Sequence, residues 1–388
     1  MIEQNATGHF STTRNTGPDL WHLDHIDERD FETPGTYSYE SDGSGVDIYI
    51  VDSGVMASHN EFATNDNVTT GGNFVVHLGD DAPADDPCED LQSPGNEWTS
   101  SYYASHGTGV AASAAGWDLG VAKGARIIPV KVAPCRAFNR FDPFDYGEYG
   151  EPDLIATAWG LDWILEQVQI SGRKSVVNMS FFFDEGVNAE NCYDSSGNRV
   201  SCDGSCGVDR EGNPVDCVGA LEHNIDQLLL NGVPVITSAN NQGINPCIVG
   251  SGSQSPARMG YGGSVGNWNH NARVITVGGT DTNRGLWGHS NSGPCVSIYA
   301  PAALVRVAYT TSNSAERPDF TKGTSYSAPI VAGAAARILQ GSTHPSIASG
   351  GIQRTLQVWY ELRDAATQAE IVATQPGDER VIYVSPFQ

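Results

Sequence analysis

The chain has 388 residues, with 46 acidic against 21 basic side chains and a net charge of −25. That balance argues against a nucleic-acid or anionic-membrane surface. No uninterrupted apolar run approaches the ~18 residues that span a bilayer. The acidity reads either as a well-solvated surface or as adaptation to salty or calcium-rich surroundings. Eight cysteines suit an oxidising compartment. The length fits one α/β domain, 1–388, carrying insertions, since no stretch reads as a long linker. The first residues are polar and hold no apolar signal-peptide core.

In chain order, Val46–Asp52 is a β-branched apolar run that ends in a carboxylate, which predicts a buried parallel strand with Asp52 at its C-terminal edge. Ser105-His106-Gly107-Thr108-Gly109-Val110 places a histidine at the start of a small-residue helix. Further strands are predicted at Ala125–Val132, Lys174–Ser180, Val233–Ala239, Arg273–Gly278 and Val296–Ala300. Leu154, Ala158, Leu161, Leu165 and Val168 repeat at helical spacing, and Val218 to Leu230 reads as a helix closed by Asn231-Gly232. Near the end, Gly323-Thr324-Ser325-Tyr326-Ser327-Ala328-Pro329 sets a serine before the apolar run Ile330 to Leu339. A serine there meets the free N–H groups and positive dipole end of a helix, and Pro329 is tolerated in a first turn. Alternating strands and helices predict a doubly wound, mostly parallel sheet with helices on both faces. Its functional groups then belong at strand C-termini and helix N-termini.

One segment repeats. Asp194 to Cys202 recurs as Asp209 to Cys217, each copy with a Gly-Asn turn, and Cys192 and Cys206 open the two units. The expectation is a disulfide-rich insertion of two small hairpins. Four cysteines allow three pairings, and Cys192–Cys202 with Cys206–Cys217 is preferred. Zinc binding by the four thiolates is the rival reading.

Asp52, His106 and Ser325 are the side chains that acyl transfer uses: a nucleophile, a general base and a carboxylate that orients the base. Their order along the chain is the subtilisin order. With these three motifs the chain resembles the subtilisin-like serine proteases and is most similar to the proteinase K branch. The likeness runs from Trp21-His22-Leu23-Asp24-His25-Ile26-Asp27-Glu28-Arg29-Asp30 through Ala57-Ser58-His59-Asn60-Glu61-Phe62, Ser255-Pro256-Ala257-Arg258 and Ser290-Asn291-Ser292-Gly293 to Val381-Ile382-Tyr383-Val384-Ser385-Pro386.

The resemblance implies a secreted, monomeric serine endopeptidase acting on protein or peptide substrates, with a signal peptide and an inhibitory propeptide removed. Asn241 aligns with the family's oxyanion asparagine. Its side-chain amide and the Ser325 N–H would be the two donors, while Asn240 replaces a glycine and reads as a turn residue. Ser180, Phe181, Phe182, Ala239 and Asn240 align with substrate-lining positions. Where the family has Ser-Leu-Gly-Gly, this chain has Ser180-Phe181-Phe182-Phe183, which either walls subsites or is core. Tyr326 replaces the usual methionine after the serine, and Gly109 replaces the histidine common after His-Gly-Thr. A structural calcium ion is implied at Asp24, Asp27, Glu28 and Thr36, the rival being a solvated helix face. Asp80 to Asp86 is a weaker candidate. Ser297 stands where a second family site has an aspartate, so that site is expected absent or weakened. Family parallels also imply Cys88–Cys135 and Cys247–Cys295. Against the family the chain carries insertions at about 136–151 and 184–217. Two alternatives remain: a peptide ligase or macrocyclase using the same acyl-enzyme, with the insertions as a lid, and a non-catalytic protein on this fold.

Overall fold

The computed structural model describes residues 12–15, 18–27, 35–75, 105–133, 152, 154–185, 192–193, 199–200, 219–247, 253–261, 271–309, 314, 316–317, 321–368 and 380–381. Among the described residues the centre is a nine-stranded sheet. The strands are β1 (Val46–Asp52), β2 (Gly72–Asn73), β3 (Arg126–Lys131), β4 (Lys174–Met179), β5 (Val235–Ser238), β6 (Ile275–Thr280), β7 (Ile298–Pro301), β8 (Thr367–Gln368) and β9 (Arg380–Val381). Their order across the sheet is β8-β9-β7-β6-β5-β4-β1-β3-β2. Neighbours run parallel except for the antiparallel edge pair β8 and β9. Each predicted strand is present, and boundaries shift by a residue or two: inward where apolar character outlasts ladder pairing, and outward at the ends of β6 and β7, whose pairing continues to Thr280 and Pro301.

β1 explains why both faces of the sheet are covered. All seven of its residues are buried. Val46, Ile48 and Ile50 join one core with Val110, Ala111, Ile330 and Val331. Tyr49 and Val51, pointing the other way, join a second core with Leu161, Ile164, Leu221 and Leu228. Helices α1 (Ser105–Ala115) and α4 (Thr324–Gly341) therefore lie on one face, and α2 (Leu154–Ser171) and α3 (Gly219–Leu230) on the other. At the opposite end of β1 from Asp52, fully buried Asp47 accepts from Arg126 (2.9 and 2.6 Å) and Arg173 (2.7 Å), which offsets the cost of burying its charge.

The order also locates a reversal. From β1 the chain fills one side with β2 and β3, then crosses to build β4 to β7 on the other. The C-terminal edge of β1 is the switch point where α/β sheets place their ligand crevice, and Asp52 is the last residue of that strand.

The expected insertions lie largely outside the described residues, as do Cys88, Cys135, Cys202, Cys206, Cys217 and the Asp80–Asp86 loop. One hairpin of the repeat is described: Cys192–Tyr193 pairs antiparallel with Arg199–Val200. Cys247 and Cys295 are bridged, with Cα atoms 5.4 Å apart.

Candidate active site

Sheet order brings together residues that lie far apart in sequence. Asp52, 3% exposed, accepts from His106 Nδ1 through both carboxylate oxygens, at 2.9 and 3.0 Å. That pairing places the imidazole proton on Nδ1 and leaves Nε2 as the basic nitrogen. The turn after the strand is built around this pair. Ser53 N donates to Asp52 Oδ1 (2.7 Å), and Ser53 Oγ accepts from Gly107 N at the start of α1 (3.2 Å). Lys131, opposite Asp52 in the β1–β3 register, is buried and donates to Ser53 O (2.9 Å) and Ala133 O (3.0 Å). Gly107 permits the close approach, since a Cβ there would collide with the Gly54 carbonyl and sit 3.1 Å from Asp52 Oδ1.

Ser325 lies in the first turn of α4. Its neighbour Tyr326 brings its ring centroid to 5.9 Å from the His106 ring, so this helix end stands beside the imidazole. Ser325 and Ser180 bond reciprocally. Ser325 Oγ donates to Ser180 O (3.1 Å), and Ser180 Oγ donates to Ser325 O (2.8 Å). Buried Asn178 supports Ser180 through Nδ2 to Oγ, at 3.0 Å.

The two asparagines after β5 divide as their backbones require. Asn240 is buried at φ 76°, the left-handed region an asparagine tolerates. Its N–H donates to Thr324 Oγ1 at 3.0 Å. Asn241 is exposed, and its Oδ1 accepts from Thr324 N (2.9 Å) and Thr324 Oγ1 (3.0 Å). With the oxygen committed, Nδ2 is the end that faces the site. A Cβ on Gly323 would lie 3.6 Å from Asn241 Nδ2 and 3.7 Å from Ser325 N, so two donors flank one small space. Gly323 itself has φ 156°. The serine motif by itself gives Thr324 no role; in the structure it clamps both asparagines.

Other candidates separate. Ala239 is fully buried beneath the asparagines. Phe181 and Phe183 pack on the second core, their rings 5.7 Å apart and T-shaped. Phe182 is half-buried and is not part of that cluster, as alternation along an extended chain dictates. Asp24 Oδ1 accepts from Gly35 N (2.9 Å) and Thr36 N (3.1 Å), and Asp27 Oδ2 from Ser38 N (2.6 Å). Both carboxylates thus line the start of the Thr36–Tyr39 strand, and Glu28 lies outside the described residues. Among the described residues no three or more histidine, cysteine, aspartate or glutamate side chains are grouped so as to hold a metal ion. Ser297 Oγ is occupied by the N–H groups of Tyr261 and Thr276, both at 3.2 Å.

Residues 43–370 match the model of the subtilase family. This chain belongs to the subtilase family. Among curated subtilases it is 29% identical over 328 residues to an extracellular serine proteinase of Thermus sp. strain Rt41A, covering 83% of this chain and 57% of that protein. It is 27% identical over 327 residues to alkaline serine exoprotease A of Vibrio alginolyticus, covering 84% and 44%. A cuticle-degrading serine protease of Arthrobotrys oligospora is 25% identical over 327 residues, covering 83% and 59%. The subtilase chain thus spans about half the length of the first two. A solved cold-adapted subtilisin-like serine proteinase shares the fold with a TM-score of 0.62 at 24% identity, covering 94% of this chain and 97% of that one.

Proposed function

We propose that this subtilase is a secreted serine endopeptidase that hydrolyses peptide bonds through an acyl-enzyme, and that its 388 residues make one catalytic domain. The observation that carries the reading is the Asp52–His106 pair at the sheet's switch point, beside the helix end that bears Ser325. Ser325 Oγ exchanges its Ser180 partner for His106 Nε2 and attacks the scissile carbonyl carbon, and the hydroxyl proton passes to Nε2. Asp52 keeps the Nδ1 proton in place and stabilises the imidazolium. The oxyanion that forms is met by Asn241 Nδ2–H and Ser325 N–H. Collapse expels the amine, which takes the proton from His106. Water then repeats the cycle on the ester, with His106 as base and then acid. A substrate strand would lie along Ser180 to Phe182, with Ala239 and Asn240 flooring the adjacent pocket.

The Asp24, Asp27, Glu28 and Thr36 oxygens have the hard-donor chemistry that suits calcium. In the described part, two carboxylates converge on one strand start. A calcium ion there would tie the Trp21–Asp27 helix to the Thr36–Tyr39 strand and take no part in the reaction. The partners are a protein or peptide substrate and a removed propeptide, with no nucleic acid or membrane, and the chain acts as a monomer. The insertions that would form a lid for the ligase alternative lie largely outside the described residues, and no observation favours that reading.

The test is a Ser325→Ala variant with fluorophosphonate labelling. The expected result is a folded protein without peptidase activity, and labelling of wild type at Ser325 alone. Undiminished turnover in the variant, or labelling at another serine, overturns the assignment.

A further inference from the structure

The proposed oxyanion donor Asn241 sits on an exposed loop, yet its amide must point within a fraction of an ångström of the right direction to stabilise a developing charge. Thr324 fixes the side-chain oxygen from the helix side. The backbone side is held by a second loop. Residues 240–244 are laced to 289–292 by Asn291 N to Asn240 O (2.8 Å), Gly243 N to His289 O (3.0 Å) and Ser292 N to Ile244 O (3.1 Å). The Cys247–Cys295 bridge closes the pair of loops.

Within this pair Asn291 is fully buried, and its side chain is spent on the asparagine loop. Asn291 Oδ1 accepts from Gln242 N (3.1 Å) and Ile244 N (3.0 Å). Asn291 Nδ2 donates to Gln242 Oε1 (3.1 Å), and the same oxygen accepts Asn241 N (3.1 Å). Counting its own N–H, Asn291 grips the chain on both sides of Asn241 and reaches Asn241 N through one intermediary. No other side-chain type at 291 offers an acceptor for two backbone donors and a donor for Gln242 at that length.

We propose that Asn291 is a positioning residue for the oxyanion site: acting through Gln242, it sets the backbone of Asn241 and so the direction of the Asn241 amide. This rests on the reading of Asn241 as an oxyanion donor. It adds that the donor is aimed by a buried amide from a separate loop, not by the serine-bearing helix alone.

The test compares wild type, Asn241→Ala, Asn291→Ala, Gln242→Ala and the two double variants that combine Asn241→Ala with each of the others on one peptide amide substrate, with active sites counted by fluorophosphonate titration and folding checked by melting. Loss of the donor in Asn241→Ala is expected to cost roughly 10²–10³ in kcat, a magnitude that comes from subtilisin itself. Asn291→Ala is expected to lower kcat about tenfold or more while KM stays within about twofold, because a misaimed group weakens transition-state binding rather than ground-state binding. In the Asn241→Ala background the Asn291→Ala change should cost less than about twofold, since residues acting through one group are not additive. A merely structural Asn291 would lower the melting temperature and leave kcat per titrated site unchanged, and that outcome overturns the proposal. So does an equal loss in both backgrounds. If Asn291→Ala does not fold, Gln242→Ala, an exposed substitution that cuts the same relay, decides: a fall in kcat absent from the Asn241→Ala background supports it, and wild-type kcat overturns it. Full kcat in Asn241→Ala sinks the oxyanion reading itself, and this proposal with it.

Discussion

Tyr326 closes over Gly109. A Cβ built on Gly109 would lie 3.2 Å from Tyr326 Cε1 and 3.3 Å from both Ala308 O and Val307 Cβ, so the tyrosine ring fills the space a side chain at 109 would need. The same ring lies 5.9 Å from the imidazole of His106. The two departures read separately along the chain, glycine for histidine and tyrosine for methionine, are therefore one steric unit beside the base.

Gly109→His alone should overpack this corner and cost about 1–3 kcal/mol, seen as a lower melting temperature and reduced kcat. Adding Tyr326→Met should return most of that loss. Two variants whose effects simply add would mean that the residues do not share the space.

Oxidation gives a second reading of the same pair. A methionine beside the serine would be converted to a polar sulfoxide, a route closed to tyrosine. Wild type should keep activity in peroxide longer than Tyr326→Met. Equal inactivation rates would mean that the oxidised group lies elsewhere.

The phenylalanine run should split by position. Phe182→Gly should broaden the residues accepted in a peptide-library cleavage profile and leave the melting temperature nearly unchanged. Phe181→Ala should destabilise by about 2 kcal/mol, less than the roughly 3–5 of a fully buried phenylalanine, because Phe181 is only partly buried. An unchanged Phe182→Gly profile would assign all three rings to packing.

Chelation should lower the melting temperature, because an ion bound only by the folded chain stabilises it by mass action. Asp27→Ala will destabilise on its own account through Ser38 N. The informative result is that its melting temperature no longer responds to chelator. Melting curves of wild type that coincide with and without chelator would remove the calcium site.

A pH effect follows from His22, which is fully buried. Its Nε2 bonds Leu119 O at 3.1 Å, and its Nδ1 finds no hydrogen-bond partner among the described residues. Burial holds its pKa down to about 4. The folded state therefore binds fewer protons than the unfolded state between about pH 4 and the ordinary histidine value of 6.5. Stability is full above that window and is lost as pH falls through it, by an amount on the order of 3 kcal/mol. Burial also holds His25 down to about 4, so His22→Gln should shrink, not abolish, the fall of the denaturant midpoint between pH 6.5 and 4. A variant with the same acid slope as wild type would place the titration in another group.

Much of this was legible along the chain because local pattern reports local burial. The run Val46–Asp52 is apolar at every position but two, and a strand covered on both faces requires that. Small residues after His106 and Ser325 mark helices whose ends come close to other backbone. Asp52, His106 and Ser325 could be named for the same reason, since each closes or opens a segment whose type its neighbours announce, whereas Asn241 is named by the family resemblance. What the chain does not display is which segments become neighbours. That depends on strand order, which joins residues 52, 106, 241 and 325, and on side-chain volumes that meet only after folding. So the sharing of one space by Gly109 and Tyr326, the separation of Phe182 from Phe181 and Phe183, the Lys131 support beneath Ser53 and the grip of Asn291 on the asparagine loop were decided by tertiary packing. Each joins groups from different segments, and no periodicity within a single segment encodes such a distance.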